Sequence, residues 1–168
     1  DPAVVFHLIR NAHMNVDELD TLFNKKSGLM GLTGYGDMRE VHRLAEEGNA
    51  DAQLALDVYV HRIVSYIGSY TYQMGGCDVI TFTAGVGENA FWVRKAVCDK
   101  LAPFGVKIDE EKNLERSSEP RIISTPDSSV IIAIVPTNEE LAIARKSAAI
   151  AEAGKDSYGN VVEPTNEA

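Results

Sequence analysis

The sequence predicts an α/β fold. Residues 78–83, 121–125 and 130–135 are short, β-branched and apolar, the composition of buried strands, and the last of them is apolar throughout. Around them, apolar residues recur every three or four positions, as on helices with one buried face. Two strand segments also run directly into turn chemistry that opens a helix, "AGVGEN" after the first and "PTNEE" after the last. Strands alternating with helices build layers, and in such sheets ligands gather at the carboxyl ends of the strands.

Composition narrows the function. A chain of 168 residues buries one ordinary core. Its 16 Lys and Arg against 25 Asp and Glu give a net charge of -9, which repels phosphodiester backbones and argues against nucleic acid as a partner. No apolar run approaches the ~20 residues of a membrane span. Cys77 and Cys98 lack metal or redox spacing and read as reduced structural thiols, which fits the cytoplasm. Asp1-Pro2 followed at once by "AVVFHLI", with no leader or initiator Met, is what the later part of a longer protein would present.

Taken in order, Pro2 and the apolar Val5, Leu8 and Ile9 predict a first short helix, and a second runs from about Val16 to Asn24. The Gly-rich residues 25–37 predict an ordered loop. Asp37 then precedes a helix stopped by Gly48. From about Asn49 to Met74 a long helix carries the stripe Leu56, Val60, Ile63, Ile67, Tyr70 and Met74, to be covered by a sheet or by another subunit. After the strand at 78–83 a glycine turn leads to a helix from about Asn89 to Leu101. A short strand at 106–108 and a polar loop at 110–120 follow. Strands 121–125 and 130–135 come next, the second central, and then a last helix, for which Thr137 and Glu140 have capping-box spacing. Residues 154–168 have little apolar periodicity and read as a mobile tail.

The glycine string admits several meanings. Gly85, Gly87 and Ala90 satisfy the dinucleotide pattern GxGxxG/A, and Asp109 lies about twenty residues on, as an NAD-dependent oxidoreductase requires. Against that, the string follows a largely helical stretch, and Glu88 would set a carboxylate near the pyrophosphate. A Walker loop is excluded because no Gly-Lys-Ser/Thr follows. The plain alternative is a turn that only reverses the chain.

Longer strings decide between these. "FTAGVGENA" closely resembles the adenosine-binding turn of the acetate kinase family, usually FTGGIGEN, and "SGLMGLTGYGDMRE" resembles that family's SGLLGxSGxSxDMRE segment. "EEGNADAQLALDVYVHRI" is similar to its long helix and "VPTNEELAIAR" to its C-terminal signature, all in the family's order over residues 1–150. Propionate kinases share these strings. Ala84 replaces a glycine, Val86 an isoleucine and Tyr35-Gly36 two serines; a positive φ at Ala84 would be strained by its methyl.

The resemblance implies an actin-like, ribonuclease-H-type nucleotide-binding domain that lacks its early strands. Residues 1–153 would be the C-terminal part of the second domain of a kinase that moves the γ-phosphoryl group of ATP reversibly onto acetate. It implies ATP or ADP and Mg²⁺ as cofactors, a short-chain carboxylate bound by the upstream half, and a homodimer. Gly85, Val86, Gly87, Glu88 and Asn89 would line the adenosine and phosphate end. Asp37 would accept from ribose hydroxyls and Arg39 would stack on the adenine region, with Met38 between them. Glu139 would be the Mg²⁺-associated carboxylate and Glu140 the helix cap. The bland counterpart is that Asp37 only caps its helix and Arg39 is a solvated residue. The family's catalytic residues match nothing in this chain, which alone would not turn over. His7, His13, His42 and His61 match no family position and have no metal spacing. The rivals are the NAD oxidoreductase on Gly85, Gly87 and Asp109, and a non-catalytic actin-like module that pairs through the long helix.

Overall fold

The computed structural model describes residues 1–153; the tail predicted at 154–168 lies outside the described residues. Helices α1 (Ala3–Asn11) and α2 (Val16–Lys25) come first, α2 opened by a capping box in which Asn15 Oδ1 accepts from Glu18 N at 2.9 Å and Glu18 Oε2 accepts from Asn15 N at 2.8 Å. The loop expected at 25–37 contains a helix instead, α3 (Gly28–Thr33), closed by Gly34 in the left-handed region at φ 78°. Tertiary contact explains the difference: Leu29 packs against Val41, Ala52 and Ala55, and this burial outweighs the poor helix propensity of the glycines.

Helix α4 (Met38–Glu46) follows the Asp37 cap, and α5 (Ala50–Met74) follows Asn49, whose side chain accepts from Ala52 N at 3.0 Å. The predicted stripe on α5 is divided. Val60, Ile63 and Ile67 join the main core, whereas Tyr70 and Met74 near its end stay exposed. Gly75, at φ 74°, ends the helix where an L side chain would be strained.

The strands are β1 (Val79–Phe82), β2 (Arg121–Ile122) and β3 (Ile131–Ile134), in the order β1-β3-β2. β3 is central, as its apolar run predicts, parallel to β1 and antiparallel to β2. Between β1 and β2 lie α6 (Ala84–Asn89), α7 (Phe91–Leu101), a 3-10 turn at Ala102–Phe104, and α8 (Glu110–Leu114). Helix α9 (Glu139–Ala153) is last. The helix expected from about Asn89 to Leu101 is α7, and the glycine turn before it is itself helical as α6, the two separated at Ala90, whose ψ of 78° is not helical. Residues 106–108 form no strand, only one isolated bridge from Ile108 to Ser124. The polar loop expected at 110–120 begins as α8, capped by Asp109, and is too short to show a helical period.

One face of the sheet carries the core. Ile132 and Ile134 of β3, Phe82 of β1 and Ile123 pack with Val60 of α5 and with Val93, Val97, Cys98 and Leu101 of α7. Each fully buried aliphatic side chain there contributes ~1.5–3 kcal/mol. The opposite face shows Val79, Ile122 and Ile131 to solvent, and among the described residues β1 pairs only with β3. No helix among the described residues is long and apolar enough to cross a membrane.

Candidate functional site

An open cleft of about 1220 Å³ lies between the start of α4, the α6–α7 corner and residues 113–121. It brings Asp37, Met38 and Arg39 onto the same cavity as Gly85, Val86, Glu88 and Asn89, although the two strings are far apart in sequence. Gly87, Glu139 and Asp109 do not line it. A Cβ on Gly87 would stand 3.1 Å from the backbone carbonyl carbon of Phe82, so this glycine lets α6 fold back on β1. Gly85 meets nothing within 4 Å and keeps the cleft wall low.

Asp37 has extended backbone, and its Oδ1 accepts from Arg39 N at 2.8 Å, which caps α4. The same carboxylate takes the guanidinium of Arg39, from Nε at 3.1 Å and from NH2 at 2.6 Å. The side-chain bonds from Arg39 first, and its backbone N–H second, hold the Asp37 carboxyl down at about 2. Asp37 therefore caps the helix and fixes the arginine at once. An ionised carboxylate is an acceptor only, the partner that hydroxyl donors require.

The glycine turn begins at Ala84 with φ 58°, left-handed despite its methyl, at a cost of ~1–2 kcal/mol. Asn89 Nδ2 donates back to Gly85 O at 2.9 Å and closes the turn on itself. Glu88 Oε1 accepts from Thr137 N at 2.9 Å and from Thr137 Oγ1 at 3.1 Å, bonds that lower its carboxyl below the ordinary value. The carboxylate that counted against an anionic ligand thus stays ionised, hydrogen-bonded to Thr137. It also corrects the predicted cap of α9: Thr137 serves Glu88, and Asn138 Oδ1 accepts from Leu141 N at 2.9 Å instead. Glu139 opens α9 two residues beyond Thr137. Among the described residues no group of three His, Cys, Asp or Glu side chains surrounds a metal position. Glu139 fits Mg²⁺ only as one oxygen donor beside phosphates and waters, the mode this cation favours.

The opposite wall was not anticipated. Arg94 on α7 is 2% exposed and donates from Nε to Asn113 Oδ1 at 2.7 Å, from NH2 to Asn113 O at 2.6 Å, and from NH1 to the carbonyls of Gly87 and Glu88 at 2.9 Å. Arg121 holds the carbonyls of Glu115 and Ser117 at 2.7 and 3.1 Å. One signal was legible: Arg94 takes the first place in the buried i, i+3, i+4, i+7 stripe completed by Val97, Cys98 and Leu101. Burial first, and the Arg121 charge second, lower the Arg94 guanidinium to about 10, still charged at neutral pH. With Arg39 and Arg116 these give the cleft four arginines in a chain of net charge -9. Met38, Val86, Phe91, Trp92 and Leu114 supply apolar surface, and Trp92 stacks on His42 at 4.1 Å between ring centres. An apolar wall beside fixed cations suits a ligand with a flat ring at one end and negative charge at the other.

Comparison with known proteins gives matches to one family. The family model described as the Acetokinase family matches residues 1–145. The acetate kinase of Leifsonia xyli subsp. xyli is 54% identical over 154 residues, which are 92% of this chain and 39% of that protein. That of Pseudothermotoga lettingae is 53% identical over 155 residues, 92% of this chain and 38% of its own. Among solved structures, Porphyromonas gingivalis acetate kinase superposes with a TM-score of 0.78 at 38% identity, over 90% of this chain and 38% of that one. A propionate kinase from Francisella tularensis gives 0.77 at 39% identity, over 86% and 37%. The chain thus spans under two-fifths of the length of these relatives, and its helices and small sheet are those of an incomplete actin-like domain.

Proposed function

The chain belongs to the acetokinase family, and on that premise we propose that it forms the adenosine and magnesium side of a kinase that moves the γ-phosphoryl group of ATP reversibly onto acetate. The observation that carries this is the meeting of Asp37 and Arg39 with the Gly85–Asn89 turn on one cleft. Asp37 accepts from ribose hydroxyls, and Arg39, held by that carboxylate, lays its planar cation against the purine. Gly85 lets the base and sugar approach the backbone, with Val86 and Met38 as apolar contacts. Asn89 closes the turn, Gly87 seats it on β1, and Glu88 holds it to the approach of α9. Mg²⁺, when bound, neutralises phosphate charge; Glu139 would contribute one oxygen to it.

No residue of this chain is assigned to the chemical step. The acyl pocket and the groups that stabilise the transferring phosphoryl belong, in this proposal, to the additional length of the relatives. Acetate is proposed as the acceptor because the curated relatives at 54% and 52% identity are acetate kinases. A cytoplasmic homodimer completes the proposal. The oxidoreductase alternative is disfavoured by Asp109, which caps α8 and stands outside the cleft.

Calorimetric titration with Mg·ADP and, separately, NAD tests the assignment. Saturable ADP binding weakened by Arg39→Ala is the expected result. NAD binding lost in Asp109→Ala, with no ADP binding, would overturn it.

A further inference from the structure

Resting on the nucleotide assignment above, we propose that Arg94 is a positioning residue that sets the width of the cleft by tying the glycine turn to the wall at residues 113–118. Its place on α7 is one that a leucine or methionine would fill by pattern, yet a guanidinium occupies it, 2% exposed. Burying a charge without a counter-charge is costly, and a chain with 25 carboxylates offers many partners. None is used. Every bond of Arg94 goes to Gly87 O, Glu88 O, or the Asn113 carbonyl and amide oxygens.

These acceptors belong to the two sides of the cavity. Gly87 and Glu88 are the last turn of α6, a helix of six residues that starts from a strained Ala84. Asn113, 1% exposed, donates from Nδ2 to Phe91 O at 3.1 Å and leads into Leu114, Glu115, Arg116, Ser117 and Ser118, which line the far wall. Arg94 has five donors in a rigid planar fork and reaches both sides at once, which a lysine, with its three donors on one nitrogen, cannot do. The two walls thus keep one spacing, and ligand contacts on either depend on a residue that touches neither base nor phosphate.

The test uses the whole chain with Mg·ADP and with adenosine as probes, read by calorimetry and by fluorescence of Trp92, the sole tryptophan. Arg94→Lys and Asn113→Ala are compared with the unsubstituted chain, well below each thermal midpoint. The expected result is a loss of about tenfold for ADP and for adenosine alike in both variants. If Arg94→Lys does not fold, Asn113→Ala carries the test. A loss confined to ADP means direct phosphate contact and overturns the proposal, as do unchanged affinities in folded variants or failure of both variants to fold. An unsubstituted chain that binds neither probe overturns the nucleotide assignment itself, a result distinct from the others.

Discussion

Thr137 donates both its backbone N–H and its hydroxyl to one oxygen of Glu88, at 2.9 and 3.1 Å across 49 residues of sequence. The pair joins the glycine turn to Thr137, two residues before the helix that begins with Glu139. Glu88→Ala should release the first turn of α9 while leaving the sheet intact. Hydrogen exchange should then rise at residues 137–142 and stay unchanged in β3. The ionised carboxylate is the better acceptor, and its folded value lies below the ordinary 4.5. The contribution is therefore complete above pH 4.5 and disappears as pH falls through the lowered value, a window that exchange at stepped pH would reveal.

Asp37 gives a second acid-side prediction. Its folded carboxyl sits at about 2 against an ordinary 3.8, so the stability it lends is fully present above 3.8 and is lost as pH falls through about 2. Carboxyl NMR should place its midpoint near the lower value. In Arg39→Ala, which removes the largest cause, the midpoint should move back up toward the ordinary value, with ADP affinity falling in the same variant.

Ala84→Gly should stabilise the chain. Relief of a left-handed alanine returns ~1–2 kcal/mol and the added freedom of the unfolded glycine removes ~0.5–1, a net gain of about 0.5–1 kcal/mol. The urea midpoint is the measurement, and an unchanged or lower midpoint would contradict the φ of 58°.

Gly85 and Gly87 should respond oppositely to alanine. At Gly87 the new methyl meets the Phe82 backbone at 3.1 Å, and the strand must shift, with a destabilisation of about 1–3 kcal/mol. At Gly85 the methyl meets nothing within 4 Å, so the melt should change little while ADP affinity drops. Equal melting losses in the two variants would refute the division of labour.

What the sequence made legible was local. "DMRE" and "GVGEN" each hold the proposed site residues in one short string, and the apolar run of β3 identified the central strand from composition alone. What it hid was short or distant. Helices α3 and α8 have six and five residues, fewer than two turns, so no period can emerge. β2 reduces to Arg121–Ile122, though Ile123 beside it is fully buried and donates to Ile132 O at 2.8 Å. The cap of α9 shifted by one residue because Thr137 has a remote partner that spacing cannot display. Arg94 and Asn113, 19 residues apart, are joined only by the folded chain; the polar interruption of the α7 stripe was the one trace of them.

The burial of Cys98 in the core has a kinetic consequence. Its thiol is 1% exposed and desolvation raises it to about 12, so almost no thiolate exists at neutral pH while the fold is closed. Cys77, just past the end of α5, is only half-buried. An alkylating reagent should therefore mark Cys77 promptly and Cys98 only during the moments when strand and helix separate. The second labelling rate is a clock that counts openings of the whole domain, and any ligand that closes the cleft should slow it.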